Sequence, residues 1–145
     1  MGYIIHHTSH TKAIRVIHDY IGLCAPSVMQ QALSLYLEQC NYGNAFIVGL
    51  RQNVKAAFET LRDVLLDLHF TIPAIDGGFF IWAKLPEQYT DGFEFASDLY
   101  DATGVAAIPG EHFSSVKVNW LRFNVARPIE EILLAGNRIA EFVNK

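Results

Sequence analysis

Apolar positions along this chain follow two periods, one helical and one alternating. Ala13, Ile14, Val16, Ile17, Tyr20 and Ile21 recur at helical spacing. Thr8, Ser9 and Thr11 stand before them as N-cap types, so a first helix is expected there. Pro26-Ser27 restarts a helix whose Val28, Met29, Ala32, Leu33, Leu35, Tyr36, Leu37 and Cys40 are apolar nearly all round. That pattern predicts deep burial. Asn41-Tyr42-Gly43-Asn44 reads as a turn. Ile47, Leu50, Val54, Ala57, Phe58, Leu61, Val64, Leu65 and Leu68 then keep one face over roughly six turns, with Arg51, Gln52, Lys55, Glu59, Arg62 and Asp63 on the other. A helix this long in a small protein suits a bridge between two subdomains.

The period changes after residue 69. Phe70-Thr71-Ile72 before Pro73 reads as a short edge strand, and Asp76-Gly77-Gly78 as a turn. Phe79 to Leu85 is a strand ending at Pro86. Phe95, Ala96, Leu99 and Tyr100 mark a short helix with Gly104 as its closing glycine. Val105 to Ile108 is a strand stopped by Pro109-Gly110, Val118 to Ala126 another, and Ile129 to Val143 an amphipathic helix. At the other end, Gly2-Tyr3-Ile4-Ile5 reads as a buried strand running to His7. A domain rarely opens inside its own core strand, so a preceding segment is expected. The order predicts an α+β fold: a small antiparallel or mixed sheet covered by helices, after a long N-terminal helical segment.

Alternation in the strand Val118–Ala126 sends Leu121, Phe123 and Val125 toward the helices and Trp120, Arg122 and Asn124 the other way. A guanidinium in mid-strand needs a partner, because burying it without an anion is costly. A nearby Asp or Glu, stacking on Trp120, and the carboxylate of a ligand all meet that need.

Composition narrows the class. The 145 residues are 51% hydrophobic and 18% charged, which is globular composition with enough chain for a real core. The net charge is −4 and no two Lys or Arg are adjacent, which gives no footprint for nucleic acid. Apolar runs fall short of the roughly 20 residues that span a bilayer, and Met1 to His7 lacks the features of a signal peptide. No membrane partner is expected. Cys24 and Cys40 read as reduced core thiols of a cytoplasmic protein. His6, His7 and His10 have no Cys or carboxylate at ligand spacing, so no metal site is expected. Ser9-His10-Thr11-Lys12 mimics an S-x-x-K motif, but no companion motif follows, and Lys12 opens a helix as a solvated first-turn residue.

Several segments, in order, resemble class I/II (fold type I) aminotransferases dependent on pyridoxal phosphate. Gly2-Tyr3 is similar to the "GY" after the family's cofactor-lysine loop. Gln30-Gln31-Ala32-Leu33 is similar to its "Q-x-A" helix, and Arg51 to the arginine that begins its interdomain helix. Pro73 to Phe80 resembles its "P-x-G-(G)-x-F" hairpin, and Gly104 to Phe113 its "GV-x-x-x-PG-x-x-F" segment. Leu121-Arg122-Phe123 resembles its "(V/L)-R-(L/F)" strand, and Arg138-Ile139 the "R-I" of its last helix. The resemblance covers nearly the whole chain, and its specificity lies in the order of the pieces.

The resemblance implies the carboxy-terminal part of such an enzyme. Residues 1–45 would be a remnant of the large cofactor domain, and 46–145 the small domain entered by the interdomain helix. It implies that Arg122 binds the substrate α-carboxylate and that Pro109, Gly110 and Phe113 form a loop near the substrate. Ser114 stands where the family usually has glycine. His112 lies in that loop, and Asn124 shares the face of Arg122. The Schiff-base lysine would precede the "GY". None of Lys12, Lys55, Lys84, Lys117 and Lys145 has its setting, so no catalytic residue is expected in this chain and the chain alone is expected to be inactive. The implied partners are an amino acid, a 2-oxo acid, the missing large domain and a second copy in a homodimer. Other fold type I chemistry (lyase or synthase) grips the same carboxylate. A non-catalytic module for small carboxylates, or for dimerisation, is the reading from a different class.

Overall fold

The structure, a computed structural model, describes residues 4–22 and 24–145. It divides between Val48 and Gly49 into two compact units.

In the first unit a short 3₁₀ turn, Thr8–His10, leads into helix α1 (Thr11–Gly22). The cap of that turn is His7, whose ring accepts from the Ser9 N–H at 3.3 Å. Pro26 precedes α2 (Ser27–Gln39), and the Gln30 side chain donates to the Ala25 carbonyl at 2.8 Å. The turn after α2 has three left-handed residues in succession: Asn41 (φ 46°), Tyr42 (φ 57°) and Gly43 (φ 72°). A Cβ on Gly43 would lie 3.1 Å from the Tyr36 ring, so glycine meets both the backbone and the space there. Helix α3 (Asn44–Asp67) starts in this unit.

Three expectations are corrected here. Ile4 to His7 forms no strand, and Ile4 and Ile5 are 73% and 88% exposed. A strand exists only through a neighbour, and no described strand pairs with this segment; Gly2 and Tyr3 lie outside the described residues. Helix α2 has no buried residue, and Val28 is 77% exposed. Its apolar pattern records a surface that needs covering, and nothing among the described residues covers it. Cys24 and Cys40 are free, as expected, but exposed and not in a core.

The second unit holds the core. Strands β1 (Phe80–Lys84), β2 (Ile108–Pro109) and β3 (Trp120–Asn124) form an antiparallel sheet in the order β1-β3-β2. Register pairs Trp82 and Ile108 with Arg122, one on each side. Ile81, Ala83, Leu121, Phe123 and Val125 point into one layer with Ala57, Leu61 and Leu65 of α3, with Phe95 and Leu99 of α4 (Gly92–Thr103), and with Ile132 and Ile139 of α5 (Ile129–Val143). This is the α+β class with a small antiparallel sheet and a long helix. Helix α4 is capped by Asp91, which accepts from the N–H groups of Phe93 and Glu94 at 3.0 and 3.1 Å, and Gly104 closes it at φ 74°.

All four strands expected in this unit are shorter than their patterns predict: Phe79–Leu85 pairs over Phe80–Lys84 and Val118–Ala126 over Trp120–Asn124, and the other two shrink further. Phe70–Ile72 reduces to one bridge between Thr71 and Lys84. Val105–Ala107 stays outside the sheet, because the Thr103 hydroxyl, not a strand, accepts from the Val105 N–H. Pairing begins at Ile108 and includes Pro109, whose missing N–H is tolerated at the sheet edge. Among the described residues no helix is long and apolar enough to cross a membrane.

Candidate functional site

Arg122 lies at the centre of β3, on the face away from the core. Its guanidinium carbon sits 4.2 Å from the centre of the Phe80 ring and 4.4 Å from that of Phe113. The ring quadrupoles attract the cation, but rings accept no in-plane N–H bonds. The Arg122 Nε is buried and has no hydrogen-bond partner among the described residues. No Asp or Glu lies within ion-pair distance among them either. Trp120 does not stack on the arginine. It stacks on Trp82 (5.7 Å, 15°), and Trp82 meets Phe113 edge-on at 5.8 Å. Two of the three partners left open by the sequence are therefore not found among the described residues. What remains is a guanidinium beside two rings with no side-chain acceptor among those residues, and a guanidinium in that state can take a planar anion through parallel N–H bonds.

The chain from Pro109 to Phe113 runs along this face. Pro109 pairs with Leu121, and Gly110–Phe113 form a 3₁₀ turn. Gly110 is buried; a Cβ there would lie 2.6 Å from the Val118 side chain and 3.0 Å from Trp120 Cβ, so only glycine lets the turn sit this close. Phe113 is half-exposed and reaches both Arg122 and Trp82. Ser114 is extended (φ −136°, ψ 147°), a conformation open to any residue, so the serine does not disturb the turn. His112 packs its ring against Phe113 at 5.1 Å. Asn124 is exposed and accepts from the Ala126 N–H, which is loop work.

Phe80, Trp82 and Glu111 also belong to this neighbourhood, and the sequence did not single them out. The alternation of Phe79–Leu85 contained part of the signal, since it puts Phe80 and Trp82 on one face. The register that sets them beside Arg122 is a tertiary fact.

The lysines are spoken for or exposed. Lys55 pairs with Glu59, Lys117 with Asp91, and Lys12, Lys84 and Lys145 are exposed. Asp91 is held below the ordinary carboxylate range by the Lys117 ammonium and its bonds to the α4 N–H groups, and Lys117 is raised by Asp91. A raised pKa keeps an amine protonated, the opposite of what a nucleophile needs. Among the described residues no group of three His, Cys, Asp or Glu side chains is placed to hold a metal ion.

The family model described as aminotransferase class I and II matches residues 1–139, so the chain belongs to that family. A Bacillus subtilis protein named "Probable N-acetyl-LL-diaminopimelate aminotransferase" is 25% identical over 145 residues, covering 100% of this chain and 36% of that protein. An LL-diaminopimelate aminotransferase of Aquifex aeolicus is 32% identical over 89 residues, 61% of this chain and 22% of that protein. A solved structure from Methanococcus jannaschii, described as similar in its active site to kynurenine aminotransferases, shares the fold with a TM-score of 0.84 at 24% identity. The match covers 99% of this chain and 37% of that one. The chain thus spans about a third or less of the length of these relatives.

Proposed function

We propose that this chain is the carboxy-terminal portion of a pyridoxal-phosphate dependent aminotransferase that moves an amino group between an amino acid and a 2-oxo acid, and that Arg122 binds the substrate α-carboxylate. The observation that carries the reading is a mid-strand Arg122 guanidinium beside two aromatic rings with no Asp or Glu in ion-pair range among the described residues. A carboxylate accepts two parallel N–H bonds from a guanidinium, which fixes its orientation as well as its charge. Phe80 and Phe113 lie against the guanidinium and help to hold it. Pro109 and Gly110 set the path that delivers Phe113. In the family the cofactor supplies the electron sink for the amino-acid carbanion.

The residues of this chain do not fit the anchorage of that cofactor. Its lysines are ion-paired or exposed, and Lys117 is held protonated. The Schiff-base lysine and the phosphate clasp accordingly belong to a large domain of which residues 1–45 are the end, with 46–145 as the small domain. The uncovered apolar residues of α1 and α2 support contact with that domain and with a second copy in a homodimer. The two free, exposed thiols suit a reducing, cytoplasmic setting. The diaminopimelate derivatives named for the relatives are α-amino acids, so they carry the group this arginine fits.

The test is a titration of the chain with pyruvate, followed through the backbone amide ¹⁵N resonances of Trp120–Asn124, which are present in wild type and variant alike. These resonances shift saturably, and Arg122→Lys binds about tenfold or more weakly, since the ammonium cannot make the paired bonds. Equal affinity in wild type and variant would refute the carboxylate role.

A further inference from the structure

Glu111 lies in the turn between Gly110 and Phe113, and its carboxylate points back toward the sheet instead of out to water. Its Oε1 accepts from the N–H of Val118, seven positions further along the chain, at 3.0 Å. Its Oε2 is buried with no partner among the described residues. That oxygen lies 3.2 Å from where a Cβ on Gly92 would stand, at the first turn of α4. The same glycine packs against the carbonyls of Val118 and Trp120, at 2.7 and 2.8 Å from a Cβ position, and donates its N–H to Val118 at 3.1 Å. The carboxylate is thus wedged between the turn, the positive end of a helix and the backbone leading into β3. A helix N-terminus favours a negative charge placed there even without a direct bond.

Desolvating a carboxylate oxygen for no hydrogen bond is expensive. Solvent is open to much of this turn, where His112 and Phe113 are exposed, so a surface glutamate could have kept its hydration. The arrangement sets the path of the turn, and two residues after Glu111 comes the ring that rests on Arg122. We propose that Glu111 is a positioning residue: through Val118 it holds the Phe113 ring against the Arg122 guanidinium. The proposal rests on the carboxylate reading of Arg122 for its catalytic meaning, but not for its geometry.

The chain's two tryptophans, Trp82 and Trp120, lie on this face, and Trp82 touches Phe113, so their emission reports the ring's position. Glu111→Ala is expected to shift the emission to the red, as Phe113→Ala does, and the double variant to shift no further than either alone, because both remove one contact. Glu111→Gln keeps the oxygen that accepts from Val118 and is expected to keep the wild-type spectrum. Pyruvate affinity, read at the Arg122 Nε–H, is expected to fall about threefold to tenfold in Glu111→Ala and to recover in Glu111→Gln.

A wild-type spectrum in a Glu111→Ala protein with native far-ultraviolet dichroism overturns the proposal, and so does an additive shift in the double variant. If Glu111→Ala does not fold, the glutamine variant decides: a red shift matching that of Phe113→Ala overturns it. Pyruvate that fails to bind the wild type refutes the role of Arg122 instead and leaves the spectral comparison to decide Glu111.

Discussion

Asp91 carries two interactions with opposite demands on position. It caps α4, accepting from Phe93 and Glu94, and its other oxygen pairs with Lys117. Its pKa is lowered in the fold, so its contribution is present above the ordinary value of 3.8 and is lost as pH falls through the folded value beneath it. Lys117 is raised, so its contribution is present below 10.5 and is lost as pH rises through a higher folded value. Asp91→Asn keeps a cap oxygen but removes the charge. We expect it to flatten the acid limb of a stability profile measured by urea titration, and Asp91→Ala to lower stability at neutral pH as well. An acid limb unchanged in Asp91→Asn would contradict this. At this scale the sequence exposed Arg122, because alternation alone placed it opposite the core. It did not expose Phe80 or Glu111, since one depends on strand register and the other on the path of a turn.

Helix α3 shows how far a pattern reaches at the scale of an element. The apolar stripe from Ile47 to Leu68 predicts the helix, and the helix runs from Asn44 to Asp67. The stripe does not tell its halves apart. Ala57, Leu61 and Leu65 are buried, while Phe46, Ile47, Val48 and Leu50 are exposed. Leu65 is fully covered, and Leu65→Ala should cost about 2–5 kcal/mol, through lost transfer energy and the cavity left behind. The same change at Leu50 should cost much less. A urea midpoint measured for both variants checks the contrast, and equal losses would put the core elsewhere. Strands were the harder elements. Val105–Ile108 has strand composition, yet α4 ends on Gly104 and the Thr103 hydroxyl takes the Val105 N–H, so pairing waits until Ile108. Local composition cannot foresee a competing hydrogen bond from a side chain.

On the scale of the molecule, the two units differ in whether they can stand alone. Among the described residues, 49–145 contain every buried side chain of the hydrophobic core. In residues 4–48, among those described, only Gly43 is buried, while Tyr20, Ile21, Val28 and Tyr42 are each at least 75% exposed. A chain of residues 49–145 is expected to unfold in one cooperative urea transition, and limited proteolysis of the whole chain to cut first within residues 4–48. The intact chain should self-associate with rising concentration in sedimentation, through that uncovered surface. A monomer at all concentrations, or first cuts within 49–145, would contradict the division. The fold class was legible because short strands after residue 69 are interleaved with amphipathic helices that cover one face; the exposure of apolar residues on α1 and α2 among those described was not, since periodicity reports which face is apolar and never what meets it.

The strand order has a bearing on how the site can move. Among the described strands β3 alone has a neighbour on each side, so Arg122 is anchored by ladders to both β1 and β2. Amides in such a strand exchange with solvent only when the whole sheet opens. A ligand bound as proposed at the guanidinium would therefore meet a rigid mount, its alignment inherited from the stability of the core beneath. The other wall is a four-residue turn ending on the half-exposed Phe113, which lies outside the sheet and is tied to it through the Glu111 bond to Val118. Under the proposed role of Glu111, a bulkier ligand would displace that ring only by loosening this tie, while the arginine stays where the sheet puts it.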